Sequence, residues 1–335
     1  FLEKIYYFCR MNEVCVKLIT RSSELPPMVC NDYFHSTSFF KALENSPGTS
    51  PCMATAIDKD GTVVAHMLAI VNTRRMLLPP FLLRWGRVYG EGDYTVSKGR
   101  EMLFKQMVDA VTSKFRREVC LLAEFSEISR KMFGYRQFRQ CGYVPIPWQE
   151  IHNSLHSMEP WQRLSHKMQA RIAAAESAGV EVRPCRDDSE TTAYAALLRR
   201  FFRLKSRRYV PHARLFAEMA RSGDATHLVT TYRNRIIGGC TLIFSQGNAY
   251  MWFMASRRKT YHKFHPAAMT VWGALRYAHE NGYAHLHFLD AGLPITHNPY
   301  REFILSFGGK PTAKYRWFQV ALPWVNRMVG WFYDY

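Results

Sequence analysis

Two stretches of the sequence share one pattern and decide the fold: MATAIDKDGTVVAHMLAIVN at residues 53–72 and LVTTYRNRIIGGCTLIF at residues 228–244. Each predicts a strand, a polar turn and a returning strand. In the first copy the turn is DKDG at residues 58–61, which is typical of a hairpin connection. The chain therefore presents one hairpin motif twice.

Each hairpin is followed by a stretch compatible with a helix and then by a similar closing segment. The closing segments are FRQCGYVP at residues 138–145 and ILSFGGKP at residues 304–311, and both lead into an aromatic-rich strand. A spacing of about 170 residues is too long for a solenoid repeat. It indicates two copies of a domain-sized fold, with a cleft in which we expect a small substrate to bind.

Length and composition agree with two domains. A chain of 335 residues usually divides into about two domains of ordinary size. The hydrophobic residues, 47% of the chain, and the aromatic residues, 14%, suffice for two cores. Because strands and helices alternate in both halves, we expect an α+β fold, with two similar domains around mixed sheets at residues 1–156 and 157–335.

Neither a membrane span nor a signal peptide is expected. No run approaches the roughly 20 apolar residues that cross a bilayer, and residues 1–10 lack the plan of a signal peptide. Eight cysteines are scattered singly without a CxxC pair, which predicts free thiols rather than a zinc site or disulfides. We therefore expect a cytoplasmic protein.

The charge balance predicts an anionic partner. The formal net charge is +18 and the pI is near 9.7. Such an excess is typical of proteins that bind nucleic acid, a phosphorylated carrier or an anionic membrane, although many basic proteins only carry solvated lysines and arginines. The charge alone leaves these partners open.

Four groups of residues, taken in order along the chain, resemble the motifs of a known family. They are Phe34-His35-Ser36; Leu164-Ser165 with Lys167, Arg171, Ala175, Gly179-Val180 and Val182; His265-Pro266 to Gly282-Tyr283 followed by Asp290-Ala291-Gly292; and Tyr300 to Phe307-Gly308-Gly309. Their order resembles the GNAT (Gcn5-related acetyltransferase) fold in tandem, and specifically the FemABX-like family of bacterial transferases. The resemblance covers nearly the whole chain.

The resemblance implies an enzyme that moves an acyl or aminoacyl group onto an amine, such as that of a peptidoglycan precursor or another phosphate-bearing or lipid-linked substrate. It implies no metal and no tightly bound cofactor, since the donor is a co-substrate: aminoacyl-tRNA, acyl-CoA or acyl carrier protein. The sequence departs from the family pattern in two places. It lacks the Gln/Arg-x-x-Gly-x-Gly/Ala loop that cradles the pyrophosphate of coenzyme A, and it lacks the helical arm of some tRNA-using members.

The loop RRKTYHKFH at residues 257–265 is the leading candidate site. It lies between a predicted strand and the N-terminus of a predicted helix at residues 266–281, where backbone N–H groups favour anions. Its candidate phosphate-binding residues are Arg257, Arg258, Lys259, Tyr261 and His265. The alternative is a solvated basic loop.

Further candidates lie on neighbouring elements. Trp252 precedes the loop on a strand, and because Phe253 is adjacent to it, we expect only one of the two to face the cleft. The remaining candidates for substrate or phosphate binding are Lys41, Lys167, Arg171, Tyr300 and Arg301. Each of these residues has an ordinary alternative role in a solvated helix face or in a core.

Asp290 is the candidate for orienting the acceptor amine, because it ends a predicted strand before a glycine-bearing loop. With His285 and His287 it forms an HxHxxD string, whose two histidines share one face of the strand. No third nitrogen or sulfur ligand is identifiable, so a metal site is not favoured. Amine acylation needs a proton acceptor, and the sequence singles out no residue for that role.

Residues 324–335 are dense in Trp, Phe and Tyr around Arg327. Such a segment either packs on its own domain or rests on an anionic membrane surface. The second arrangement would suit a lipid-linked acceptor and would place the protein at the inner face of a membrane.

Two alternatives to the leading function stay open. One is an N-acyltransferase that uses acyl-CoA or acyl carrier protein. The other, from a different class, is a nucleic-acid-binding platform without catalysis, which the charge permits but which no RRM, KH or helix-turn-helix pattern supports.

Overall fold

A computed structural model describes residues 14–76, 81–203, 209–289, 291–294 and 296–333. The chain divides into two compact units, one formed by Phe1–Pro147 with Lys314–Tyr335 and the other by Trp148–Ala313. The placement of a functional domain boundary at residue 156 stays a prediction.

The first unit is a mixed sheet with helices packed on it. Its elements are β1 (Cys15–Ile19), α1 (Thr37–Glu44), β2 (Thr49–Ile57), β3 (Val63–Met76), β4 (Phe81–Tyr89), β5 (Asp93–Tyr94), α2 (Arg100–Arg117), β6 (Leu122–Ser126), α3 (Tyr135–Gln140) and the start of β7 (Val144–Ser154), with the end of β13 (Lys310–Val320) and α9 (Pro323–Tyr333). Neighbouring strands follow the order β1-β2-β3-β4-β6-β13, and β5 pairs with β3. The β4–β6 pair is parallel, and the other pairs are antiparallel.

The second unit repeats this plan. Its elements are the end of β7, α4 (His166–Ser177), β8 (Val180–Pro184), α5 (Asp188–Phe202), α6 (Ala213–Ser222), β9 (Ala225–Tyr232), β10 (Arg235–Ser245), β11 (Asn248–Ser256), α7 (Pro266–Glu280), β12 (His285–Phe288), α8 (Pro299–Leu305) and the start of β13. Neighbouring strands follow the order β8-β9-β10-β11-β12-β7. The β11–β12 pair is parallel, and the other pairs are antiparallel.

The predicted duplication is confirmed, because both sheets have three antiparallel steps, one parallel step and one antiparallel step in the same order. The repeated hairpins are β2–β3 and β9–β10. The closing strands add a feature that the sequence did not predict. In the first unit β13 pairs with β6, and in the second unit β7 pairs with β12, so the last strand of each repeat completes the sheet of the other.

The turn residues explain why both hairpins form. In the first hairpin the Asp58 carboxylate accepts hydrogen bonds from the backbone N–H groups of Asp60 and Thr62. In the second hairpin Arg233 and Asn234 both have positive φ, 47° and 59°, as a tight turn between twisted strands requires. Both turns are built locally, so the repeat is visible in the sequence.

Two helices differ from what the sequence predicts. The sequence predicts a helix at residues 34–43, with Asn31 or Asp32 as its cap. In the structure Tyr33–His35 is a short 3₁₀ turn, and α1 starts only at Thr37 because the Ser36 hydroxyl accepts a hydrogen bond from the Phe39 N–H. Helix α6 was not predicted at all. It buries Leu215, Phe216 and Met219 against the sheet, and its start is capped by the His212 side chain, which is an uncommon capping residue.

Each unit has its own hydrophobic core. In the first unit α2 packs on the sheet, and Phe138 stacks on Trp317 with ring centroids 4.6 Å apart. In the second unit α4 and α7 cover one face of the sheet. No helix in the described part of the chain is both long and apolar enough to cross a bilayer, and the seven cysteines at described positions are free thiols.

A buried histidine ties α6 to the sheet of the second unit. The Nε2–H of His227 donates to the Phe216 carbonyl at 2.7 Å, and Nδ1 lies 3.0 Å from the Thr241 hydroxyl. Because a carbonyl only accepts, Nε2 carries the proton, so Nδ1 accepts from Thr241. Burial lowers the pKa of His227 from its ordinary 6.5 to about 4.

We expect acid to destabilise the fold through this histidine. Between pH 6.5 and 4 this histidine is protonated in the unfolded chain but stays neutral in the folded chain. The free energy of unfolding therefore falls as the pH falls, by up to roughly 3 kcal/mol for one such group. His35, whose pKa burial also lowers to about 4, adds to the effect. Urea unfolding at pH 7 and pH 5 measures the loss.

Two variants separate His227 from other acid effects. In His227→Gln the pH-dependent loss should be smaller, because the amide can keep both hydrogen bonds and does not titrate. His297→Gln, at an exposed position, should leave the loss unchanged. An equal pH-dependent loss in His227→Gln and in the parent would contradict the assignment.

Candidate functional site

The parallel pairing of β11 with β12 stops halfway along β11. The ladder pairs Ala249 with Leu286, Tyr250 with His287 and Met251 with Phe288, whereas β11 continues to Ser256. At the same point β11 carries a bulge against β10, where Trp252 is the extra residue. Bulges bend a strand and are common beside functional sites.

The chain after β12 follows β7 rather than β11. The backbone N–H of Gln149, on β7, donates to the Gly292 carbonyl at 2.9 Å. The first unit is different at the matching place, because the β4–β6 ladder runs to the last residues of both strands, Tyr89 and Ser126, and Gly90 extends it with an N–H bond of 2.7 Å to Ser126. The strands therefore part in the second unit and stay joined in the first.

The N-terminus of α7 is fixed tightly beside the end of β11. The Thr270 hydroxyl donates to the Pro266 carbonyl at 2.7 Å and lies 2.6 Å from the Thr230 hydroxyl on β9. Gly238 on β10 permits the close approach, since a Cβ there would lie 2.6 Å from the Thr270 hydroxyl. These contacts hold the first turn of α7 in a set position.

A basic pocket of about 400 Å³ opens at this helix terminus. It is lined by Arg171, Arg258, Lys259, His262, His265, Pro266, Ala267, Ala268 and Phe303. Four elements contribute, namely α4, the loop before α7, the first turn of α7, and α8. Among these lining residues there are three cations, two imidazoles and no carboxylate, which makes the pocket suited to a phosphate group.

Helix geometry adds to the attraction for an anion. The N–H groups of the first turn have no acceptor within the helix, and the helix dipole is positive there. His265, the residue before α7, has a left-handed backbone with φ 44°. Its pKa is lowered, first by burial and then by the nearby Arg171 and His262. A bound phosphate would offset that repulsion.

The structure brings together four of the predicted site residues in this pocket: Arg171, Arg258, Lys259 and His265. Three others lie close by in sequence but outside the lining. Lys167 is exposed one turn before Arg171 on α4, Arg257 donates its N–H to the Ile237 carbonyl, and Tyr261 packs against Tyr232 and Phe264. Their roles in binding stay predictions.

Trp252 lies in the core and contacts the rings of Phe216 and Phe253. Both rings contact Phe216, because the bulge at Trp252 breaks the alternation of side chains along β11. That only one of Trp252 and Phe253 faces the cleft stays a prediction. A stacking role for Trp252 on substrate stays a prediction.

The other candidates have different surroundings. The Arg301 guanidinium donates to the carbonyls of Leu293 and Thr296 at 2.6 Å each, and so holds the loop before α8. Tyr300 packs on the core of the second unit, and its N–H donates to the Asn298 side chain. Lys41 is exposed on α1 in the first unit. Asp290 lies outside the described residues.

Five of the lining residues were not among the predicted site residues: His262, Pro266, Ala267, Ala268 and Phe303. His262 lies within the predicted loop, so the basic pattern included it without marking it. Phe303 is on α8, far along the chain, and no local pattern indicates that its side chain reaches the N-terminus of α7. Only the tertiary fold brings α4, α7 and α8 to one pocket.

A cluster of histidines occupies the opposite face of the same sheet. His285 and His287 on β12 lie within 6 Å, centroid to centroid, of His152 on β7, at 5.7 Å and 5.8 Å. Leu286 and Phe288 point into the core beneath α7, so the alternating histidines face away from it. Within the described residues, no group of His, Cys, Asp or Glu side chains has the arrangement of a metal site.

The comparisons with known proteins agree with this geometry. Residues 162–301 match the family model for the acetyltransferase (GNAT) domain. The match runs from the segment before α4 into α8 and contains every pocket residue except Phe303. Residues 162–301 of the second unit are thus similar to a GNAT domain, and for this part of the chain the predicted GNAT-type transferase domain is confirmed.

Solved structures share the fold over nearly the whole chain. FemX aligns with a TM-score of 0.59 at 11% identity, covering 89% of this chain and 94% of its own. A tandem GNAT protein from the clavulanic acid biosynthesis pathway gives 0.57 at 12%, covering 92% and 99%. L-PGS from Bacillus licheniformis gives 0.54 at 12%, covering 89% and 92%. No curated protein sequence matches significantly.

The tandem GNAT architecture that the FemABX-like resemblance implied is therefore confirmed. At these identities the alignments establish the fold alone.

We expect the pocket to bind inorganic pyrophosphate through its cations. Arg171→Gln and Lys259→Gln should each weaken the binding about tenfold or more, since each removes a charge-assisted contact. Calorimetric titration with pyrophosphate measures the affinity. Lys263→Gln is the matched control, because Lys263 is an exposed cation of the same segment that does not line the pocket. Equal weakening by all three substitutions would mean that general charge, and not the pocket, holds the anion.

Proposed function

We propose that the second unit transfers an acyl or aminoacyl group from a phosphate-bearing donor to an amine. One observation carries this proposal: the basic pocket at the N-terminus of α7 lies beside the point where the β11–β12 ladder ends. The pocket suits the donor's phosphate. The segment of β11 beyond the ladder then offers a path for the donor's reactive arm.

The transfer itself needs few protein groups. The amine nitrogen attacks the carbonyl carbon of the donor, the bond from that carbon to the donor's sulfur or oxygen breaks, and the leaving atom takes up a proton. The attacking nitrogen loses one proton to an acceptor. Holding the two reactants together supplies a large share of the rate, and backbone N–H groups at the carbonyl oxygen stabilise its developing charge.

The histidine cluster on the other face of the sheet supports a place for the acceptor amine. Its members His152, His285 and His287 lie beside Tyr250, whose ring stacks on His287 at 4.9 Å. Tyr250 and His287 form the second-last pair of the ladder, so the cluster lies beside the ladder and His287 is its histidine on β12 nearer to the point where β11 and β12 part. The pKa of His285 is lowered by burial and by His152 and His156, which favours the neutral imidazole that accepts a proton.

The donor is proposed in two forms. A thioester of coenzyme A or acyl carrier protein carries a phosphate group near its pantetheine arm, and an aminoacyl-tRNA carries backbone phosphates. Among the structures that share the fold, one is named as the C-terminal domain of a putative lysylphosphatidylglycerol synthetase, with a TM-score of 0.55 at 11% identity, and the tandem GNAT protein is described without acetyl-CoA. These names agree with either form and with a phosphate-bearing or lipid-linked acceptor. Asp290 stays proposed for orienting the acceptor.

A transfer assay decides between the donors. The protein is incubated with acyl-CoAs, acylated carrier protein and aminoacyl-tRNAs in separate reactions, together with a panel of amines, and the products are identified by mass. Product formation from one donor class, lost in Arg171→Gln, would support the proposal. Absence of transfer from every donor, with pyrophosphate still bound in the pocket, would contradict it.

We expect His287→Ala to lower kcat about 100-fold, the usual range for loss of a proton acceptor, because His287 lies nearer than His285 to the end of the ladder, while the KM for the donor changes little. Steady-state kinetics with the donor found in the transfer assay gives both values. His297→Ala is the control, because His297 is an exposed histidine of the same unit that pairs with Glu302. A rise in donor KM with unchanged kcat would assign His287 to binding instead.

A further inference from the structure

The last helix of the chain, α9, has two unlike faces. On the inner side the Asn326 side chain anchors it to the first unit, donating to the Gly142 carbonyl and accepting from the Val320 N–H, both at 2.9 Å. On the outer side Trp324, Met328 and Trp331 recur at four and three residues and therefore share one face. Trp324 is 60% exposed and Trp331 71% exposed, with Phe332 beside them at 70%.

The apolar surface continues from α9 onto the end of the sheet. The Ala321 N–H donates to the Leu121 carbonyl, and the Leu121 N–H donates to the Arg84 carbonyl, both at 3.0 Å. The end of β13, the start of β6 and the start of β4 therefore lie side by side. Each of them presents an exposed apolar side chain there, namely Leu322, Leu121 and Leu82.

Val119 is an exposed apolar residue beside this surface and has a strained backbone. It follows α2 just before Leu121, has a φ of 54° and is 68% exposed. A β-branched residue in the left-handed region costs about 1 kcal/mol or more, and glycine is the usual residue at such a helix end. The chain thus accepts strain where it displays an apolar side chain to solvent.

Cations surround the apolar patch. Arg327 is exposed on α9 itself, and Arg117 is exposed near the end of α2. Arg74 and Arg75 are exposed at the end of β3, where Arg75 pairs in register with Leu82. Helix α9 contains no acidic residue. The patch is therefore apolar and aromatic at its centre and positive at its rim.

We propose that this end of the first unit docks on an anionic phospholipid surface. Tryptophan and phenylalanine side chains on one face of a helix, with arginines beside them, fit the boundary between acyl chains and headgroups. The rim cations attract anionic lipids, and the net charge of +18 acts in the same direction. A protein partner would need a surface complementary in shape and charge to two tryptophans, scattered leucines and at least four arginines. A lipid surface can accommodate these side chains without shape complementarity. The proposal stands on the first unit and does not depend on the transfer reaction.

Vesicle flotation of the full chain tests the proposal. The protein should float with vesicles of mixed phosphatidylglycerol and phosphatidylcholine, and float much less with phosphatidylcholine alone. The double variant Trp331→Ser with Phe332→Ser should lower the bound fraction at limiting lipid about tenfold or more, since two large side chains no longer enter the interface. Arg74→Gln with Arg75→Gln should lower binding to the anionic vesicles only.

A matched control removes apolar surface elsewhere on the same unit. Val29→Ser with Met132→Ser changes two side chains that are as exposed as those of α9, and vesicle binding should stay unchanged. Circular dichroism and urea unfolding check that every variant is folded. The rival partner for this surface is a second copy of the chain, which sedimentation analysis detects as a dimer that the Trp331 and Phe332 substitutions dissociate. Absence of flotation with the anionic vesicles, with or without such a dimer, would overturn the proposal. Equal flotation of all variants would overturn it as well.

Discussion

The short parallel ladder between β11 and β12 is the constraint on which the candidate site depends. Three residue pairs join these strands, and the pairing ends at Met251 and Phe288 while β11 continues. The bulge at Trp252 turns β11, and the bond from Gln149 to Gly292 keeps the chain after β12 beside β7. The site is thus produced by hydrogen bonds that hold the two strands to different neighbours.

Duplication of the fold has given two units with one strand order and different chemistry. In the first unit the parallel ladder reaches the ends of β4 and β6. Hydrogen bonds then hold the chain after β4 against the segment before α1. The Gly92 N–H donates to Nε2 of His35 at 3.0 Å, and the Asp93 carboxylate accepts from the Asp32 N–H at 3.1 Å. This arrangement favours a structural role for the first unit at that place, and its exposed apolar end favours a role in docking.

Much of the fold could be predicted from the sequence because its signals are local. The hairpin turns at Asp58 and at Arg233-Asn234 and the proline at the start of α7 each act within a few residues. The exchange of the closing strands β7 and β13 could not be predicted, since both strands have the same local pattern whichever sheet they join. The start of α1 was placed too early, because Asp32 and Ser36 are both good caps and only the structure shows that they serve different turns.

The residues of the candidate site could likewise be predicted only where their signal is local. Arg258, Lys259 and His265 lie in one loop, where a basic run before a helix is a clear signal, and Arg171 belongs to the motif at residues 164–182 that carries the family resemblance. The histidine cluster escaped notice as a unit, because His152 lies more than a hundred residues before His285 in the chain and reaches it only through the pairing of β7 with β12. The bulge at Trp252 could not be predicted from the sequence either, because it depends on the register between β10 and β11 rather than on composition.

Hydrogen exchange of the backbone amides, with and without inorganic pyrophosphate, tests the central claim most directly. We predict slower exchange at residues 267–270, the first turn of α7, and no change at residues 100–104, the first turn of α2. Slower exchange at α2, or unchanged exchange at α7 under conditions where pyrophosphate is bound, would contradict the assignment of the anion site to the second unit.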